Sequence, residues 1–177
     1  MSLKNTRSAY GWVAIALHWI SAVGVTTLYL LGDRMEEAVG RAAKMEARNL
    51  HVGVAVLLFT FLPARLFWSA SQPAPESLEK SRPLQIFAKA LQGLFMLMIL
   101  VLLVTGPLAI WSGARPIQVF DLFSIPSPFP TRVQWLHLAA EKIHGASSKL
   151  FWPLIVLHAG GALKHAIIDR DRTLQRM

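Results

Sequence analysis

The chain has 177 residues, of which 54% are hydrophobic and only 16% are charged, and its formal net charge is +8. Because a soluble domain carries about 25% charged residues, this composition favours a membrane protein. No cysteine occurs, which excludes disulfides, thiolate metal ligands and iron–sulfur clusters. Basic residues that flank membrane helices account for the net charge, so nucleic acid is not an expected partner.

Four segments are nearly free of charge and about 17–22 residues long, the length that crosses a bilayer as a helix. In chain order they are residues 13–31, 52–68, 91–112 and 150–168. A soluble bundle would need a polar face on each helix, and the run from Leu94 to Val104 has none. The sequence therefore predicts an all-α fold, an integral membrane four-helix bundle formed by one domain over residues 1–177. We expect its helices to cover approximately residues 10–31, 47–68, 88–111 and 141–168.

The connections between these helices have distinct compositions. Lys4 and Arg7 precede an apolar run as in a signal peptide, but the run is too long for one, which predicts a retained first helix. Residues 33–49, rich in Glu, Ala and Arg, are expected to be helical, and the proline-containing residues 69–83 to form an extended loop. Residues 113–134 carry four prolines among aromatic residues. They predict an ordered lid whose apolar side chains need cover: Phe120, Leu122, Phe123, Ile125 and Phe129.

An even number of helices places both termini on one side of the membrane. The side with the termini carries ten Lys and Arg residues and four acidic residues. The other side carries eight Lys and Arg residues and six acidic residues. The positive-inside tendency therefore favours cytoplasmic termini, and the two sides are called inner and outer on that basis.

Four histidines fall at two matched depths in this topology. His18 and His158 lie near the inner side, whereas His51 and His144 open their helices on the outer side. Fourteen residues of α-helix advance about 21 Å and return a side chain to nearly the same face. Because neutral imidazole is a strong axial ligand of haem iron, the pattern predicts two stacked bis-histidine haems. Glycines near the histidines would leave room for a flat macrocycle: Gly24, Gly53, Gly145, Gly160 and Gly161. The adjacent pair Gly160-Gly161 suits close helix packing equally well.

The remaining polar residues of the apolar segments have other interpretations. His137 is expected to be an interfacial or lid residue, and His165 to reach the headgroups or a haem propionate. Arg65 would either extend to lipid phosphate or form a charge-assisted bond to a propionate of the inner haem. Zinc is not favoured as an alternative, because it needs three or four ligands in one small sphere.

These residues resemble the prokaryotic cytochrome b561 family, which also includes b-type cytochrome subunits of nickel hydrogenases. The similarity covers essentially the whole chain. The matching motifs are His18-Trp19, His51-Val52-Gly53, Arg65 to Trp68, Thr105-Gly106, residues 112–126, Ala162 to His165, and Asp169 to Met177. The chain departs from the family pattern at three positions: Gln92, Gly145 and Ala166. These departures weaken the case for proton transfer or quinone binding by the residues at those positions.

The resemblance implies four transmembrane helices and two haems b with iron ligands at His18, His51, His144 and His158. It implies a multi-pass protein of a bacterial inner membrane, in contact with lipid. Electrons would move between the quinone pool, with ubiquinone as the substrate, and an outer-face donor. That donor would be a small anionic reductant such as superoxide, as in superoxide oxidases, or a redox partner protein. Basic residues at the outer mouth could attract such an anion, although pairing with lipid headgroups is the favoured role for any single one of them: Arg115, Arg132, Lys142 and Lys149.

Two rival functions fit the same pattern. The chain could be the membrane-anchor cytochrome b subunit of a larger oxidoreductase, or a haem-binding membrane protein without catalytic turnover. If the purified chain alone oxidises superoxide and reduces quinone, it is an electron carrier that works by itself, and both rival functions are excluded.

Overall fold

The computed structural model describes residues 2–176, and helices dominate that range. The α-helices of the described residues are α1 (Trp12–Glu37), α2 (Arg41–Leu58), α3 (Phe61–Ser71), α4 (Arg82–Trp111) and α5 (Gln134–Leu163). A π-helical turn at Lys164–Asp169 prolongs α5, and a 3₁₀ turn covers Leu174–Arg176. With α2 and α3 counted as one rod, four helical rods of this range are long and apolar enough to cross a membrane. The predicted all-α membrane bundle is confirmed.

The membrane helices extend beyond their apolar segments. Helix α1 continues to Glu37 and α2 begins at Arg41, so the predicted helical connection is formed by the ends of two membrane helices. The chain reverses at Gly40, whose φ of +87° suits a residue without a side chain. Helix α5 begins at Gln134, earlier than the expected residue 141. Hydropathy locates the apolar part of a helix and does not detect the polar residues that prolong it.

Prolines lie within three of the rods. The second rod breaks at Phe59 and Thr60, between α2 and α3. Pro63 follows within the first turn of α3 and lacks the N–H that would bond to the Phe59 carbonyl, which explains the break. Pro107 and Pro153 lie inside α4 and α5. Proline inside a membrane helix is tolerated where neighbouring groups satisfy the freed carbonyl.

The predicted lid contains a small antiparallel hairpin, β1 (Ile117–Val119) paired with β2 (Phe123–Ile125). Ile117 and Val119 are buried, and the Phe120 ring lies directly on Gly53 of α2. Leu122 and Phe123 are 79% and 55% exposed. The expectation that all these apolar side chains would be covered is therefore wrong, because the hairpin turn carries its tip away from the helices.

The apolar core lies midway along the bundle. It consists of buried side chains from each rod: Val25, Leu58, Leu62, Leu91, Met98, Ile99, Phe151 and Leu154. Helix α4 packs on α5, and α1 packs on α2 and α3. The outward faces remain rich in exposed Leu, Ile, Val and Phe, as expected for a surface in contact with lipid. We call the end that carries both termini the terminus face and the opposite end the hairpin face.

Candidate functional site

The structure brings four of the six histidines together as two pairs, one near each face. The ring centres of His18 and His158 are 6.1 Å apart, and those of His51 and His144 are 6.3 Å apart. Two imidazoles bound to one metal through bonds of about 2 Å hold their ring centres about 6 Å apart. Both pairs therefore have the spacing of two axial ligands to a shared metal.

Hydrogen bonds to Nδ1 of each ring orient the hairpin-face pair. His51 Nδ1 lies 3.0 Å from the Leu28 carbonyl, which can only accept, so Nδ1 carries the proton. His144 Nδ1 lies 3.1 Å from Thr105 Oγ1. The Thr105 hydroxyl already donates its single proton to the Val101 carbonyl at 2.7 Å, so it accepts from His144. Both Nε2 atoms are consequently left as unprotonated ligands, the arrangement that second-shell partners impose at metal sites.

The terminus-face pair has a different neighbourhood. Arg65 Nη2 lies 3.3 Å from His18 Nδ1, and a guanidinium can only donate. Arg65 Nε is buried without a hydrogen-bond partner among residues 2–176. The Phe95 ring packs edge-on against His158 at 5.4 Å between ring centres. A half-buried guanidinium whose buried Nε has no partner, beside a histidine pair, indicates an anionic group that belongs there.

Two known proteins from Escherichia coli (strain K12) are similar to this chain over nearly their full lengths. Cytochrome b561 homolog 2 is 30% identical over 185 residues, covering 100% of this chain and 95% of that protein. Cytochrome b561 homolog 1 is 25% identical over 164 residues, covering 92% and 93%. A family model described as prokaryotic cytochrome b561 matches residues 9–177. The chain belongs to the prokaryotic cytochrome b561 family. It is thus a membrane electron carrier of a family that binds haem b.

The glycines of this b561-family chain differ in what occupies the space of the missing side chain. A Cβ added at Gly145, Gly160 or Gly161 would meet open space, whereas Leu58 fills the space at Gly24 and Phe120 fills it at Gly53. The expectation of free room is wrong for these last two, where the glycine admits a neighbouring side chain. Paired imidazoles at metal spacing and the unpartnered Arg65 Nε together fit haem b.

The terminus face carries an ion-pair network centred on Lys164. Its ammonium lies 2.9 Å from Glu79 Oε2 and 2.6 Å from Asp169 Oδ2. Glu79, Asp169 and His165 could converge on a metal ion, but the Lys164 ammonium already bridges the two carboxylates. His165 Nδ1 lies 2.7 Å from Asp171 Oδ2. His165 therefore pairs with carboxylates, which differs from the headgroup or propionate contact expected for it.

Hydrogen bonds and charges stabilise the ionised carboxylates of this network. Bonds from Thr173, opposed by partial desolvation and assisted by His165, lower the pKa of Asp171 to about 2. The Ser81 N–H and the Lys164 ammonium lower the pKa of Glu79. The network therefore ties the C-terminal segment to the loop before α4 through charged groups.

His137 lies in the first turn of α5, next to the lid, and its side chain is buried. It is 4% exposed, and its Nδ1 lies 2.8 Å from the Ala109 carbonyl of α4. A signal was present in the sequence, because His137 precedes His144 by seven residues and so shares its buried face. The contact from Leu28 had no such signal, since it uses a backbone carbonyl that any residue at that position would supply.

Proposed function

We propose that the chain is a di-haem b transmembrane electron carrier with one haem at each histidine pair. The observation that carries this proposal is the pairing itself, with ring centres 6.1 and 6.3 Å apart at the two ends of the bundle. Within α5 the two levels are separated by fourteen residues, or about 21 Å. Haem b bound at each level would supply a one-electron ferric/ferrous couple.

The chain's own residues would orient the ligands and exclude water. The Leu28 carbonyl and the Thr105 hydroxyl keep His51 and His144 in the tautomer that presents Nε2. Between the two levels lie Leu58, Met98 and Phe151 of the buried core. This apolar layer would keep water out of the space between the two levels, which preserves a low dielectric there.

The proposed direction of electron flow is from an anionic donor at the hairpin face to ubiquinone in the membrane. We place the hairpin face outside and both termini in the cytoplasm of a bacterium with this chain in its inner membrane. Two superoxide anions would each lose one electron to become dioxygen. One ubiquinone would take up the two electrons and two protons from water to become ubiquinol. Support comes from Arg115, Arg132 and Lys142, exposed basic side chains at the hairpin face.

Haem content in paired variants tests the ligand assignment. Pyridine haemochrome analysis of the purified chain should give two six-coordinate haems. His18→Ala and His158→Ala should each lose the same haem, and His51→Ala and His144→Ala the other, because each change leaves an iron with one axial bond. His165→Gln is the matched control and should retain both. One haem per wild-type chain, or loss of the same haem in His18→Ala and His144→Ala, would contradict the assignment.

The exposed hairpin tip favours a second candidate, the membrane-anchor subunit of a larger oxidoreductase. Leu122 and Phe123 form an apolar surface that a partner subunit could cover. Purified chain in detergent, supplied with superoxide and a soluble ubiquinone, distinguishes the two functions. Ubiquinol formation at one molecule per two superoxide anions supports the stand-alone carrier. Full haem content with no such turnover supports the anchor.

A further inference from the structure

A pocket of about 340 Å³ opens at the hairpin face between the lid and the start of α5. It is lined by Gly113, Arg115, Arg132, His137 and Glu141. None of these residues belongs to the two histidine pairs. The pocket therefore offers a binding site separate from the metal ligands.

The pocket carries an excess of positive charge. Arg115 and Arg132 border it, and Arg48 of α2 is close enough to Arg115 and Glu141 for their charges to act on it. Helix α5 starts beside Arg132 at Val133, which has no polar side chain to cap the first N–H groups. An uncapped helix start adds partial positive charge. Two guanidinium groups and one carboxylate line the pocket, and this excess of positive charge suits an anion that carries several oxygen atoms.

One wall of the pocket is fixed. The Nδ1–H of His137 donates to the Ala109 carbonyl at 2.8 Å, which holds the buried ring in place. Its Nε2 lies 3.4 Å from Glu141 Oε1, which places the Glu141 carboxylate at the edge of the pocket. The other side of the carboxylate faces outward, since the side chain is 52% exposed. The pocket thus presents a carboxylate acceptor beside its arginines.

The position of the pocket points to a lipid headgroup. Trp135, 71% exposed, stands at the beginning of the last membrane span. Exposed tryptophan at the end of a span marks the headgroup level of a bilayer. A volume of about 340 Å³ also exceeds that of a diatomic anion and admits a headgroup.

We propose that this pocket binds the phosphoethanolamine headgroup of a membrane lipid. Arg115 and Arg132 donate to the phosphodiester oxygens, and the Glu141 carboxylate accepts from the primary ammonium. Phosphocholine has the same phosphodiester but a methylated nitrogen without N–H donors, and free phosphate lacks the nitrogen altogether. A bound headgroup would neutralise part of the positive charge at this mouth, so lipid composition would tune the attraction of anionic donors.

Lipid titration of the delipidated, haem-loaded chain in detergent tests this proposal. Phosphatidylethanolamine, phosphatidylcholine and inorganic phosphate are each added, and binding is followed by native mass spectrometry and by thermal unfolding. Phosphatidylethanolamine should bind several-fold more tightly than phosphatidylcholine. Glu141→Gln should bring the ratio of the two affinities close to one. The Arg115→Gln/Arg132→Gln double variant should bind phosphatidylethanolamine about three- to tenfold more weakly, a modest loss because both side chains are exposed.

Two further variants keep the test decisive. Arg41→Gln removes an exposed arginine of α2 outside the pocket and should leave binding unchanged. If the double variant fails to fold, Gly113→Ala replaces it, because an added Cβ would lie 3.2 Å from both Arg115 Nε and the Ile110 carbonyl oxygen and would shift the guanidinium slightly without removing its charge. That variant should also bind the lipid more weakly. Equal affinity for the two lipids overturns the proposal, as does inorganic phosphate binding alone through the same arginines.

Discussion

The hydrogen bond between Thr105 and His144 offers the sharpest test of the hairpin-face site. Thr105 is 7% exposed, and its Oγ1 lies 3.1 Å from His144 Nδ1. Thr105→Val preserves the shape of the side chain and removes the only acceptor that the structure gives to this N–H among the described residues. The buried N–H then loses its partner, which costs about 1–3 kcal/mol.

This free-energy cost falls on the ligand that would hold the hairpin-face haem. Loss of such an outer contact lowers metal affinity by about 10–100-fold, which agrees with a cost of about 1–3 kcal/mol. We therefore expect this haem to leave Thr105→Val about 10–100-fold faster than it leaves the wild type. Transfer to excess apomyoglobin, followed by the Soret absorbance, measures the rate for each haem.

Two companion variants separate this effect from general destabilisation. Thr105→Ser keeps the hydroxyl and should release haem at nearly the wild-type rate. Thr27→Val changes a half-buried threonine of α1 that makes no described contact with a histidine, and should have no effect. Wild-type release in Thr105→Val, or faster release of the haem that His18→Ala removes, would refute the reasoning.

Three other changes test the charged groups. Arg65→Gln should lower the potential of the terminus-face haem in a redox titration, because a guanidinium near a propionate favours the reduced iron; an unchanged potential rejects the propionate contact. Reduction by superoxide should slow as salt rises and slow further in Arg115→Gln/Lys142→Gln, with haem content intact; a rate indifferent to both would favour the anchor function. Because the pKa of Asp171 is lowered to about 2 from 3.8, its ionised form stabilises the fold above pH 4 and loses this effect as pH falls through 2. The difference in thermal unfolding between wild type and Asp171→Asn should therefore shrink over that interval.

The histidine pairs could be predicted because topology determines depth. Once four spans and an even count are accepted, His18 and His158 must lie near one face, and His51 and His144 near the other. Membrane helices also satisfy their own backbone groups, so few alternative folds compete with the bundle. The pairing that the structure shows follows from these two constraints alone.

Other features depend on contacts that a sequence pattern does not encode. The acceptor for His51 is the carbonyl of Leu28, and any residue at that position would supply the same atom. Gly24 and Gly53 read as open space, but Leu58 and Phe120 enter the space that the missing side chains leave. The burial of the hairpin residues could not be predicted either. Its strands have only three residues, too few for an alternation of apolar and polar residues to show which side chains face the helices.

The two histidine pairs differ in how far the protein alone prepares them. At the hairpin face, a carbonyl and a hydroxyl both accept from Nδ1–H, so each Nε2 is free to bind iron. At the terminus face, Arg65 donates to His18 Nδ1, which places the proton of a neutral ring on Nε2, the wrong nitrogen for that ligation. His18 can ligate through Nε2 only when the guanidinium turns to another acceptor, and a haem propionate is such an acceptor. Ligation by His18 and the charge pairing of Arg65 are therefore coupled, so the terminus-face site should discriminate more strongly than the hairpin-face site against a haem whose propionates are esterified.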